Sequence, residues 1–466
     1  MFRAFPRVYT NTNISINSSN KLLSSRNVIR NVLFRSFNYL GRNNNVGLGI
    51  SSSKMNFNEK RRLLVNVRKR NFTESPDPEV TIPSKPITVS IESPKLLINW
   101  QDNQTSKFHN IWLRDHCRCE QCYHHITKQR LVDTFKIPED IRPLSTSPGL
   151  NGIEITWNDN HVSFFNWSWL RRHSYDPQFI DVQPFLQKKA LWDARIKDCP
   201  PIVQYEDVMQ TQAGLSEWLK KIDKYGFCFV DGVPPKVKET EELAERICYI
   251  RESHYGKFWD FTSNLAHGDT AYTTFALKAH TDNTYFTDPS GLQMFHLIEF
   301  QGKGGSSLLI DGFSIARKLK MKYPEAYKVL STIRIPTHSA GDSNVLIQPT
   351  PLAYPILNHN PLTNELYQIR YNNDDRSTLN QLTSEEIESF YDSLRKWNKI
   401  LVDKENEYWV QLGPGRVMIF DNWRVLHGRA EFTGHRRLIG AYLNWDDYRS
   451  KLKVSSLSRQ EIEEAL

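Results

Sequence analysis

The stretch GPGRVMIFDNWRVLHGR, residues 413–429, decides how the rest of the chain is read. A Gly-Pro-Gly turn leads into an apolar strand, and His427 follows in a polar tail. Taken alone, such a histidine is best explained as a residue that caps a strand end. Its meaning depends on what stands elsewhere in the chain.

Working outward, similar strands recur between Gly or Pro turns: GLQMFHLIEF (291–300), SLLIDG (307–312), LYQIRY (366–371) and LIGAYLNW (438–445). Helices interrupt them. GLSEWLKKIDKYG (214–226) puts Leu215, Trp218, Leu219 and Ile222 on one face and stops at Gly226. ETEELAERICYIRE (239–252) reads as a second helix, and TSEEIESFYDSLRKWNKIL (383–401) opens with a capping box from Thr383 to Glu386. Residues 191–466 are therefore expected to be mainly β with helical additions, a barrel or jelly roll. Before them, residues 87–190 carry short alternating strands, ITVSI, KLLINW, GIEITW and HVSFF, as expected of a small β-rich domain. Residues 59–86 pass from a charged run into a Pro-rich one and read as a linker.

The net charge of +8 does not mark a polyanion-binding surface. Of the 60 Lys and Arg, eight lie in residues 1–58, ahead of the first acid Glu59, which leaves 52 against 52 Asp and Glu. The basic balance belongs to the leader, and a nucleic-acid partner loses its support. Residues 1–58 are acid-free and rich in Arg, Ser and Asn, the composition of a mitochondrial transit peptide, with a disordered basic tail as the alternative. Met55 would start a shorter, cytosolic form. No apolar run is long enough to span a membrane.

Two His-x-Asp pairs stand close together, His267-Gly268-Asp269 and His280-Thr281-Asp282, the latter in AHTDNTYF (279–286). Among 14 His, chance alone supplies about one such pair. Iron(II) that must also bind a cosubstrate and dioxygen needs two imidazoles and one carboxylate on a single face, with three positions open. On a strand the His-x-Asp spacing sends both side chains to one face, and His427 is the candidate third ligand from a distant strand. Nine residues further on, Arg436 and Arg437 open another apolar strand. An Arg pointing inward needs an anionic partner, and its fork suits a carboxylate. Strand parity groups Arg436 with Leu438, Gly440 and Tyr442, so Arg436 is the one assigned. RDHCRCEQCY (114–123) adds Cys117, Cys119 and Cys122, three ligands of a tetrahedral zinc site whose fourth is left open among His116, His124, His125 and His161. Such a site would be structural, because no ligand position stays open.

AHTDNTYF, GGSSLLIDG, FDNWRVLHGR and RRLIGAY resemble the 2-oxoglutarate-dependent iron dioxygenases of carnitine biosynthesis, over about residues 88–455 and in the same order. The resemblance implies a double-stranded β-helix catalytic domain behind a small zinc domain. It implies iron ligands at His280, Asp282 and His427, 2-oxoglutarate held by Arg436 and Ser307 (the family usually has Thr there), and His161 as the fourth zinc ligand. Tyr255, Trp259 and Tyr272 match a trimethylammonium cage that Tyr442 completes, which suits a cation unable to donate a hydrogen bond. Asp269 matches the branch that hydroxylates trimethyllysine at C3, where an acid pairs with the α-ammonium; Asn372 matches a further polar contact. Ascorbate would keep the iron reduced, and a homodimer is implied. The alternatives are the γ-butyrobetaine branch of the family and a non-catalytic, zinc-stabilised module that binds methylated lysine.

Overall fold

The computed structural model describes residues 86–179, 188–262, 271 and 273–464, and these described residues fall in one compact unit. The expected leader, and all of the expected linker but Pro86, lie outside the described residues.

The first part is built twice. Strands Pro86–Glu92, Lys95–Trp100 and Thr105–His109 make one antiparallel sheet, and Pro143–Pro148, Gly152–Trp157 and Val162–Asn166 make another. A short helix follows each, Asn110–Asp115 and Trp167–Arg172. Equivalent residues are 57 apart, and their contacts repeat. Trp100 and Trp157 each donate to a serine six residues on, Ser106 and Ser163, at 2.8 and 2.9 Å. His116 stacks on Trp112 and His173 on Trp169. Arg114 pairs with Asp159 of the second hairpin at 2.8 Å, while Arg171 pairs with Asp102 of the first at 2.6 Å. Alternating residues of both sheets, including Leu96, Ile98, Trp100, Ile153, Ile155 and Trp157, fill one shared core.

Two larger sheets form the second part. One runs in the order Ile250–Arg251, Phe432–Leu443, Leu292–Gly304, Arg416–Asp421, Phe227–Asp231, Ile202–Gln204, with Trp259–Phe261 also on Phe432–Leu443. The other runs Leu277–His280, Val425–Arg429, Ser307–Asp311, Tyr408–Val410. Their inner faces meet in one apolar layer, Phe227, Phe229, Leu297, Met418, Phe420 and Leu438 against Leu309, Tyr408 and Val425. This is the double-stranded β-helix, a jelly roll.

The helices pack outside. Gln212–Tyr225 buries the predicted Leu215, Trp218, Leu219 and Ile222, and ends at Gly226 in the left-handed conformation (φ 80°). Ser384–Leu401 carries the expected capping box between Thr383 and Glu386. Two expectations change. The helix expected over 239–252 is Val237–Ile247 only, because Ile250 and Arg251 are taken by the sheet edge opposite Leu443 and Tyr442. His427 is not in a polar tail: it sits in the middle of Val425–Arg429, every residue of which is buried. The polar letters mislead because Gly428 and Arg429 are polar in name yet tightly enclosed. A Cβ on Gly428 would meet the Leu277 carbonyl oxygen at 2.6 Å, so only glycine lets the neighbouring strand lie this close.

Candidate active site

His280 and His427 are cross-strand partners on Leu277–His280 and Val425–Arg429. Asp282 lies just past the first strand's end, before Asn283, whose φ of 58° turns the chain away. Asparagine tolerates that conformation better than most residues, and Ser290 fixes it by donating to Asn283 Oδ1 at 2.7 Å. One nitrogen or oxygen atom from each of His280, Asp282 and His427 falls within a 4.8 Å cluster. Asp282 Oδ1 is 3.1 Å from His280 Nε2 and 3.6 Å from His427 Nε2.

Neighbours orient the three side chains. His280 Nδ1 donates to the Lys278 carbonyl at 2.6 Å, which turns Nε2 inward. His427 packs on Phe420 and Phe295, with ring centroids 4.8 and 6.0 Å away. Gln293 and Tyr442 both donate to Asp282 Oδ2, at 2.7 and 2.5 Å, and leave Oδ1 facing the imidazoles. Burial works against the charged form of His280, but the hydrogen bond and charge of Asp282 outweigh it and hold the imidazolium up to about 9. His427 is pushed down to about 3 by burial and then by the charge of His280. Asp282 stays well below the usual carboxylate range: burial opposes this, and the two imidazoles outweigh it. One side of this cluster is two imidazoles and one carboxylate oxygen, the donor set that suits iron(II) with room for further ligands.

The cluster lines the floor of a cavity. Arg436, Arg429 and Ser307 line one flank. Arg436 is buried, its Nε has no partner among the described residues, and burial together with the charge of Arg429 pushes it down to about 10. Arg437 takes the opposite face, where it pairs with Asp260 and Glu299. Arg429 donates to the carbonyls of Ala271, Thr273 and Phe275 at 3.2, 2.7 and 2.8 Å. The other flank is aromatic: Tyr255, Trp259, Tyr285 and Tyr442, with Trp259 edge-on to Tyr442 at 4.2 Å. Asn372 also lines the cavity, although its Oδ1 accepts from the Asp374 amide at 3.0 Å. Asp269 and Tyr272, with His267 of the rival pair, lie outside the described residues.

A second cluster sits in the first part of the fold. His161 Nε2 is 3.2, 3.5 and 3.5 Å from the sulfurs of Cys117, Cys119 and Cys122. His116 is turned to the Trp112 carbonyl, His124 to Thr127, and His125 lies against Tyr123. Asp159 accepts from both the His161 amide and Arg114, whose Nη1 reaches Cys122 at 3.5 Å. Three thiols and one imidazole nitrogen, closely grouped and half-buried, have the chemistry of a closed zinc site.

Sequence reasoning missed Gln293, Asn422, Arg429 and Tyr285. Asn422 had a usable signal, since FDNW sets a polar, turn-forming pair between two apolar strands. Gln293 had one as well, a lone amide inside an otherwise apolar strand.

The model of the taurine catabolism dioxygenase TauD, TfdA family matches residues 189–442, and the gamma-butyrobetaine hydroxylase-like N-terminal model matches residues 87–171. A trimethyllysine dioxygenase of Meyerozyma guilliermondii is 41% identical over 395 residues, 82% of this chain and 98% of that one. The mitochondrial trimethyllysine dioxygenase of Homo sapiens is 41% identical over 76% of this chain and 84% of its own length. The human gamma-butyrobetaine dioxygenase is 29% identical over 77% and 93%. With one family model over more than half of its length and these relatives along most of it, the chain belongs to the TauD, TfdA dioxygenase family, in the group of the trimethyllysine dioxygenases.

Proposed function

We propose that the chain hydroxylates trimethyllysine at C3, with 2-oxoglutarate and dioxygen consumed and succinate and carbon dioxide formed. The observation that carries this is the convergence of His280, Asp282 and His427 on the floor of a cavity with a buried arginine on one flank and aromatic rings on the other. In this proposal those three residues hold iron(II), which when bound supplies the centre where dioxygen is activated at the expense of 2-oxoglutarate. Arg436 takes the far carboxylate of 2-oxoglutarate, which answers a buried Nε that has no partner among the described residues, and the Ser307 hydroxyl assists.

Tyr255, Trp259, Tyr272 and Tyr442 form the cage for the trimethylammonium group. Asp269 pairs with the α-ammonium, and Asn372 makes a further polar contact. C3 lies four bonds from the quaternary nitrogen, so seating that group on the aromatic flank sets C3 over the floor. Positioning is the protein's main contribution. Cys117, Cys119, Cys122 and His161 hold a structural zinc, and ascorbate keeps the iron reduced. The chain works as a homodimer in the mitochondrial matrix, with a form starting at Met55 in the cytosol. Support for the compartment comes from the names of the mammalian relatives and the acid-free leader. Among the described residues no helix is long and apolar enough to cross a membrane.

Identity of 41% with the trimethyllysine dioxygenases against 29% with the gamma-butyrobetaine enzyme favours the first substrate. Turnover of each substrate with iron(II), 2-oxoglutarate and ascorbate, followed by NMR of the products, tests the proposal. Hydroxylation of trimethyllysine with one succinate per product is expected. Turnover of γ-butyrobetaine alone overturns the substrate, and binding of trimethyllysine without any turnover overturns the enzyme.

A further inference from the structure

We infer that Tyr442 is a positioning residue for Asp282: its hydroxyl keeps that carboxylate a one-oxygen ligand and so preserves an open position at the metal. The inference rests on the iron site proposed above. Tyr442 and Gln293 are direct cross-strand partners on Phe432–Leu443 and Leu292–Gly304, so the sheet register delivers two donors to one point. Both donate to Asp282 Oδ2, at 2.5 and 2.7 Å, from side chains that are 4% and 2% exposed. Oδ1 alone faces the two imidazoles.

A carboxylate free to rotate binds a metal through one oxygen or two. With two, Asp282 would take one of the three positions that a bidentate cosubstrate and dioxygen require. Two hydrogen bonds to Oδ2 oppose that rotation, because swinging Oδ2 onto the metal leaves a buried phenol and a buried amide without an acceptor. Tyr442 also presents its ring edge-on to Trp259 at 4.2 Å, on the flank assigned to the trimethylammonium group. One side chain thus has two separable parts: a ring for the substrate and a hydroxyl for the ligand.

Tyr442→Phe separates them. The ring remains, so the Kd for trimethyllysine of the manganese-loaded protein is expected within about twofold of wild type. Manganese affinity is expected to fall about 10- to 100-fold, the usual effect of removing an outer partner of a ligand. The EPR spectrum of bound manganese should change, and 2-oxoglutarate consumed per hydroxylated product should rise. Tyr442→Leu should add a loss of substrate affinity. Gln293→Met removes the other donor without touching the cage, and should show the same metal and coupling defects even if Tyr442→Phe does not fold. Wild-type metal affinity, spectrum and coupling in folded Tyr442→Phe or Gln293→Met would overturn the inference. Failure of the wild-type chain to bind manganese at His280, Asp282 and His427 would instead overturn the proposed site beneath it.

Discussion

Asn422 closes a two-point clamp on the backbone of Asp282: its Oδ1 accepts from the Asp282 amide at 2.8 Å, and its Nδ2 donates to the Asp282 carbonyl at 3.0 Å. The same Nδ2 donates to the Ser290 carbonyl at 2.9 Å. The chain leaves its strand at Asp282, and a side-chain amide supplies the ladder that the sheet no longer provides.

Asn422→Ala leaves these buried groups unpaired, at about 1–3 kcal/mol each. A loss of about 3 kcal/mol or more in chemical denaturation is expected, with weaker manganese binding in the fraction that folds. A variant as stable as wild type would show that the clamp is not needed.

Arg436→Met removes the charged partner proposed for the far cosubstrate carboxylate from a buried site. Truncating one half of a desolvated charge pair costs about 2–5 kcal/mol. The KM for 2-oxoglutarate should therefore rise by about 30-fold or more, with the Kd for trimethyllysine little changed. An unaltered KM would move the cosubstrate to another partner, Arg429 being nearest.

Much of this site was legible because its chemistry is carried by few residue types in strict positions. The period-two parity that separates Arg436 from Arg437 and the Cys117–Cys122 spacing are local features, and Arg436 faces the cavity while Arg437 pairs with Asp260 and Glu299. The His-x-Asp pair was legible as a spacing, but Asp282 lies beyond the strand and not on it as expected. What was hidden depends on register between distant strands. Nothing near Gln293 announces that it faces Tyr442, and His427 looked like part of a polar tail because burial is a property of neighbours. The two-fold repeat of the first part is legible in the sequence: INWQDNQTSKFHNIWLRDH and ITWNDNHVSFFNWSWLRRH align without a gap. Asp269 and Tyr272 keep only the support of their sequence match.

Metal uptake should depend on pH in one direction. Without metal, Asp282 holds His280 protonated up to about 9, and a ligand must lose that proton to bind. Between pH 6.5 and 8.5 apparent manganese affinity should rise by about 100-fold, then level off above about 9. Calorimetric titrations in buffers of different ionisation heat would show about one proton released per metal. Affinity independent of pH would contradict the ion pair.

The cysteine cluster predicts zinc that stabilises rather than reacts. Cys122→Ser should lower the zinc content measured by mass spectrometry and the melting temperature together. Asp159→Asn, which weakens the hold on His161 and Arg114, should lower zinc affinity by about 10-fold. Full stability in a zinc-free protein would remove the structural role.

Anomalous diffraction at the manganese edge, from crystals grown with manganese and an inert 2-oxoglutarate mimic, tests the central claim most directly. The expected result is one strong peak bounded by His280 Nε2, Asp282 Oδ1 and His427 Nε2, with the mimic's far carboxylate on Arg436. Manganese bound elsewhere, or His427 turned away from a metal that the other two hold, would contradict it.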